Sequence, residues 1–148
     1  MSPKPFSMDT VLKVRKREED FAQQKFMQAI EQEQKVENNL LRCREKQNAT
    51  IQLLAQKQQQ GIIGVELGLF EDKIEFNYRQ INSLVTLLQE KKQFTEKKRK
   101  ILVKKSQEHK ILETLKEQQN RVWAKHIEKK EAAMLDEIAI LHHGRNSI

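Results

Sequence analysis

The sequence predicts an all-α protein: a long two-helix antiparallel coiled-coil hairpin with unequal arms. Three observations carry that expectation. Gly61, Gly64 and Gly68 cluster in Gly61-Ile-Ile-Gly-Val-Glu-Leu-Gly68, and the long flanks hold no proline after Pro5 and no other glycine before Gly144. Helix breakers punctuate a chain, so one central interruption reads as two helices joined by a bend. Charged residues make up 33% of the chain, aromatics 5% and hydrophobic residues 37%, which is sparse for a globule and ordinary for a coiled coil that buries only a seam. Finally, apolar residues recur near a 3.5-residue period.

The elements follow in order. Residues 1–7 read as a flexible arm, because Pro3 and Pro5 forbid regular helix. Helix one is expected over 8–60, with Ser7 or Asp9 as cap. Its seam is Leu12, Ala22, Phe26, Ala29, Val36, Leu40, Cys43 and Leu54, interrupted by Arg15, Glu19, Glu33, Gln47 and Thr50. Polar seam positions set register at some cost in stability. The bend is expected over 61–69 and helix two over 70–143, with 144–148 as a tail after a glycine stop. Helix two opens on Phe70, Ile74, Ile81, Leu84 and Leu88. It thins between Lys91 and Lys100, where Phe94 is the one large apolar residue, and resumes from Ile101.

Folding back near residue 65 would set residue i opposite about 130 − i. Leu12 would then face Gln118, and everything from Val122 to Leu141 would project past helix one. That piece carries the only tryptophan, Trp123, with Ile127, Met134, Leu135, Ile138 and Leu141. An apolar stripe without an internal partner is a binding surface in waiting. The alternative is a later bend or a helix slip that packs the stripe internally.

The net charge is +7, spread over both arms, with one dense patch at Lys91-Lys92, Lys97-Lys-Arg-Lys100 and Lys104-Lys105. The patch has no groove-reading motif and no aromatic but Phe94. It therefore reads as a solvated face or a dock for an acidic protein surface, rather than as a nucleic-acid site. Cys43 is the only cysteine, which forbids an internal disulfide. The start of the chain lacks the apolar run of a signal peptide, and no apolar cluster is long enough for direct membrane insertion. His109, His126, His142 and His143 form no zinc-binding spacing, and no phosphate loop is present. No catalytic, cofactor-binding or metal residues are expected, so the chain reads as a non-enzyme.

The order of features also resembles a known family. Phe6-Ser-Met8, Val11 and Leu12 lead into Lys13-Val-Arg-Lys-Arg-Glu-Glu-Asp20. Phe76-Asn-Tyr78-Arg-Gln-Ile81 and Leu84 open the return helix. Lys129-Lys-Glu131 and Leu135-Asp-Glu-Ile138 close it. Together these are similar to the flagellar FliJ family, kin to the YscO-type proteins of virulence type III secretion. The resemblance covers nearly the whole chain. It implies a cytoplasmic antiparallel coiled coil, peripheral to the membrane through the export apparatus, that resembles the stalk of rotary ATPases. Implied partners are the hexameric export ATPase, the cytoplasmic domain of the membrane export gate, and export chaperones. Carried onto this sequence, it implies ATPase-facing roles for Met8, Val11, Leu12, Arg15 and Arg17, and for Lys129, Lys130, Leu135, Asp136, Glu137 and Ile138. Trp123, Ile127, Met134 and Leu141 join them from the projecting stripe. Tyr78, Ile81 and Leu84 are the implied gate contacts, although Ile81 stands where the family often has phenylalanine. A holdase or scaffold hairpin not tied to an ATPase, and a virulence-system component, are the competing readings.

Overall fold

The computed structural model describes residues 7–146. Two helices account for nearly all of them: α1, Asp9–Gln60, and α2, Gly64–Asn146. They pack against each other as a helical hairpin with arms of 52 and 83 residues. The N-terminal arm expected over 1–7 falls outside the described residues except for Ser7, which lies in a turn. The Met8 carbonyl accepts the first helical bond, from the Leu12 amide at 2.9 Å.

The bend is tighter than the expected 61–69. Only residues 61–63 leave the helical conformation. Gly61 adopts φ 94°, the left-handed conformation that ends a helix and that other residues rarely enter. Gly64 and Gly68 lie inside α2, and the Leu67 amide donates to the Ile63 carbonyl at 3.0 Å to start it. Lys57, in the last turn of α1, reaches Glu66 in the first turn of α2 at 2.7 Å. Each charge also suits the helix end it occupies. At the far end, α2 runs through Gly144 to Asn146 instead of stopping near His143. One glycine costs a helix only about 1 kcal/mol.

The chain divides into two compact units. One is Phe21–Leu102, which contains the bend. Along α1 its line of buried and half-buried positions runs through Ala22, Phe26, Ala29, Glu33, Val36, Leu40, Cys43, Gln47, Thr50 and Leu54, alternating three and four residues apart. This is the seam expected from the sequence. In α2 the alternation continues unbroken through the thin stretch by way of Lys91, Thr95 and Lys98, all half-buried. Lysine stems cover apolar surface while their ammonium groups stay wet.

Cross-arm bonds fix the register of this unit. Lys91 Nζ donates to Gln32 Oε1 at 3.4 Å, and Thr95 Oγ1 donates to the Ala29 carbonyl at 3.3 Å. A fold-back near residue 65 would instead set Gln32 opposite Lys98. The shift of about one heptad follows from the earlier, shorter bend. Ala29 is 2% exposed, and its small side chain permits the close approach that Thr95 exploits.

A polar layer lies nearer the bend. Gln47, Thr50 and Asn77 are all buried. Gln47 Nε2 donates to the Ile74 carbonyl at 2.9 Å, and Thr50 Oγ1 donates to the Lys46 carbonyl at 2.9 Å. Gln47 Oε1 and both amide atoms of Asn77 have no protein partner. Each such orphan costs about 1–3 kcal/mol, whereas a buried amide in a seam penalises every register that would set it against leucine. Replacing both residues, Gln47→Leu with Asn77→Leu, should therefore raise stability, on the order of 2 kcal/mol, while loosening register. Disulfide trapping in a Cys43→Ala background reads the register directly. Gln32→Cys with Lys91→Cys should cross-link readily, and Gln32→Cys with Lys98→Cys should not. In the double-leucine variant the second combination should cross-link as well. A more stable variant that traps only the native pairing would remove the layer's assigned role.

Candidate functional site

The second unit joins the chain through Asp20 with the chain from Val103 onward. Its paired part is held mostly by charge. Arg15 reaches both Glu18 at 3.1 Å and Glu108 at 3.3 Å. Lys105 reaches Glu18 at 3.2 Å, and Lys116 reaches Asp9 at 3.3 Å. His109 is buried in the seam, 3.5 Å from Glu19 and 3.2 Å from Glu113. Leu112 is the buried apolar residue here. The Lys105 ammonium, and then the Arg15 guanidinium, hold the Glu18 carboxyl below the ordinary carboxylate range. Lys16 is raised by its bonds to Asp20 and Glu19.

Lys116 of α2 bonds Asp9 in the first turn of α1, and α2 continues to Asn146. Those roughly thirty residues extend about 45 Å at the usual helical rise. Trp123 and Ile127 are half-buried, and every residue from Glu128 to Arg145 is exposed. Met134, Leu135, Ile138, Ile140 and Leu141 are each more than half exposed. Trp123, Ile127, Met134, Ile138 and Leu141 step by four, seven, four and three residues, so they share one helix face. Lys130 and Glu137 fall along its border, while Lys129, Leu135 and Asp136 lie further round.

The candidate residues of the first arm sit at the start of α1. Met8 and Val11 are about two-fifths exposed and Arg17 is exposed, whereas Leu12 and Arg15 are half-buried. Arg15 is committed to its two carboxylates. In the same unit Leu115, Gln118, Gln119, Val122, Trp123 and His126 line an open groove. The Trp123 and His126 rings lie 5.6 Å apart, tilted by 34°. Gln118, Gln119 and His126 were not expected at the site. Their spacing of three to five residues from Trp123 is the signal that could have found them.

The Phe21–Leu102 unit holds the other candidates. Tyr78 is 60% exposed, and Ile81 and Leu84 are half-buried seam residues. Leu84 also lines a shallow groove with Asn39, Cys43, Phe76, Arg79, Gln80 and Ser83. Among the described residues, no group of three histidine, cysteine or acidic side chains could hold a metal ion. No helix among them is long and apolar enough to cross a membrane.

These features define an all-α helical-hairpin protein, whose side chains are presented along the sides of helices. The chain belongs to the FliJ family: the family model described as "Flagellar FliJ protein" matches residues 3–147. That family is one of non-enzymatic components of flagellar type III protein export. No curated protein and no solved structure matches the chain.

The charge-held pairing has a pH signature. A carboxyl whose pKa is lowered on folding stabilises the fold above the ordinary carboxylate range and loses that contribution as pH falls through its folded value. The melting temperature should therefore drop on acidification below about pH 4, and Glu18→Gln should flatten part of that drop. Identical pH slopes in the two proteins, followed by circular dichroism, would remove Glu18 from the pairing.

Proposed function

We propose that this protein is the non-enzymatic stalk and coupling component of the flagellar export apparatus. It docks on the hexameric export ATPase through the end of α2 beyond Lys116, together with the first turns of α1. Trp123, Ile127, Met134, Ile138 and Leu141 supply apolar contact. Leu135 adds to it from the side. Lys129, Lys130, Asp136 and Glu137 orient the rim, with Met8, Val11, Leu12 and Arg17 beside them. Arg15 acts chiefly by holding α1 to α2. Tyr78, with the edges of Ile81 and Leu84, faces the cytoplasmic domain of the export gate. Export chaperones are further partners, and the protein works at the cytoplasmic face of the membrane through these contacts.

One observation carries the reading: α2 runs on some thirty residues beyond Lys116, and its large apolar side chains from Met134 to Leu141 are more than half exposed. An exposed apolar face of this kind marks an interaction surface. Family membership supplies the machine to which that receptor belongs.

Two variants test it. Ending the chain before Trp123 should abolish stimulation of the cognate ATPase in a turnover assay and leave most of the helicity. Met134→Asp with Ile138→Asp, both at exposed positions, should weaken ATPase binding at least tenfold with unchanged melting. Full stimulation by either would move the ATPase contact elsewhere. Equal capture of many unfolded clients, with no preference for the ATPase, would favour a holdase.

A further inference from the structure

The dense basic stretch of α2 has no role in the reading above, and the structure gives it a neighbour that the sequence did not reveal. Leu87, Phe94 and Ile101 stand seven residues apart, each immediately before a seam residue: Leu88, Thr95 and Leu102. They are 36%, 45% and 44% exposed. In an antiparallel pair, the positions just before the seam on the two helices share a flank. The groove lined by Asn39 together with Phe76, Gln80 and Ser83 displays that flank directly, since each of these precedes a seam residue. Phe21, 60% exposed, precedes Ala22 and so lies on the same side.

Lysine covers both of the larger rings. Lys98 Nζ sits 5.1 Å from the Phe94 ring centroid, and Lys25 Nζ sits 5.2 Å from that of Phe21. On this flank Lys97 precedes the seam residue Lys98 and Lys25 precedes Phe26, with the seam lysines Lys91 and Lys98 beside them, whereas Lys92, Arg99 and the acid Glu96 each follow a seam residue and lie on the opposite side. That acid is already held by Arg99, at 2.6 and 2.9 Å, which pulls its carboxyl below the ordinary range. Glu90 precedes the seam residue Lys91 and lies on the same flank near Leu87, and Glu31 across the hairpin is bridged to Lys35 at 3.7 Å.

We propose that this flank of the Phe21–Leu102 unit docks an acidic amphipathic helix of another protein. The seven-residue spacing of Leu87, Phe94 and Ile101 matches the repeat with which one helix meets another along a seam. The cationic rim selects glutamate and aspartate beside the partner's apolar line. A second copy of this chain is disfavoured, because it would bring the same lysines against these. Duplex nucleic acid would answer the charge and leave the apolar line idle. A bilayer would need side chains that stand proud, and Leu87, Phe94 and Ile101 are more than half covered. The inference is independent of the ATPase site, which lies in the other unit.

The test uses the full chain and four probes: a labelled four-heptad peptide with leucine at the core positions and glutamate at the flanks, the same peptide with lysine for glutamate, a DNA duplex, and vesicles of anionic and zwitterionic phospholipid. The acidic peptide should bind and weaken with added salt, while the lysine peptide should not bind. Phe94→Ser with Ile101→Ser should weaken the acidic peptide at least tenfold. Lys25→Glu with Lys97→Glu, both outside the seam, should do the same with unchanged melting, and this variant decides the matter if the serine variant loses helicity. No binding of the acidic peptide, equal binding of the lysine peptide, undiminished binding by the charge-reversed variant, or binding of duplex or vesicles alone would each overturn the proposal.

Discussion

Burial along one narrow seam is the constraint on which everything else here depends. A two-helix hairpin has no third element to cover its core, and among the described residues the buried apolar side chains are Ala22, Ala29, Leu40 and Leu112. Two of the four are alanines, whose burial contributes little area. What they permit is close approach of the backbones, as the bond from Thr95 to the Ala29 carbonyl records. Long helices of this kind are held by such packing more than by intrinsic propensity, because propensity is indifferent to which residues face each other. A thin seam therefore delegates register to its polar members, and the buried amides of Gln47 and Asn77 are the most costly of these. Register in turn determines which residues of α2 face the start of α1.

The two units use different chemistry for the same task. In Phe21–Leu102 the pairing rests mostly on apolar side chains with a few hydrogen bonds, and one ion pair, Lys57–Glu66, ties the arms at the bend. Where α1 begins, Asp9, Arg15, Glu18 and Glu19 meet Lys116, Glu108, Lys105 and His109. Partly exposed ion pairs such as Lys116 with Asp9 and Lys105 with Glu18 respond to salt and acid more than buried apolar contacts do. The end assigned to docking is thus built from the more adjustable interactions, and the end near the bend from the less adjustable ones.

Much of this was legible in the sequence. The central glycines located the bend, and the seam of α1 can be read residue by residue from Leu12 to Leu54, its polar interruptions included. Three things were not legible. A glycine reports permission to bend without saying whether the bend uses it, so Gly64 and Gly68 read as loop although only Gly61 takes a left-handed conformation. That ambiguity displaced the register by about a heptad. The basic stretch from Lys91 to Lys100 looked like a break in the seam, because a lysine buried along its stem has the same letter as one in water. Finally, apolar residues one position off the seam, such as Leu87, Phe94 and Ile101, blend into the seam pattern until the partner helix is in place. For the docking end, spacing marked Trp123 to Leu141 as a stripe, but only the structure shows Trp123 and Ile127 half-buried and Met134 to Leu141 exposed.

The three-residue bend has a consequence for how such a chain can change over time. With so little slack between the helices, adding or losing one residue there would rotate α2 by about 100° against α1 and turn its apolar positions away from the seam. Length changes in the paired arms are therefore tolerated only as matched multiples of seven on both sides. Relatives should differ in size there by whole heptads in concert, with residues 61–63 keeping a constant length.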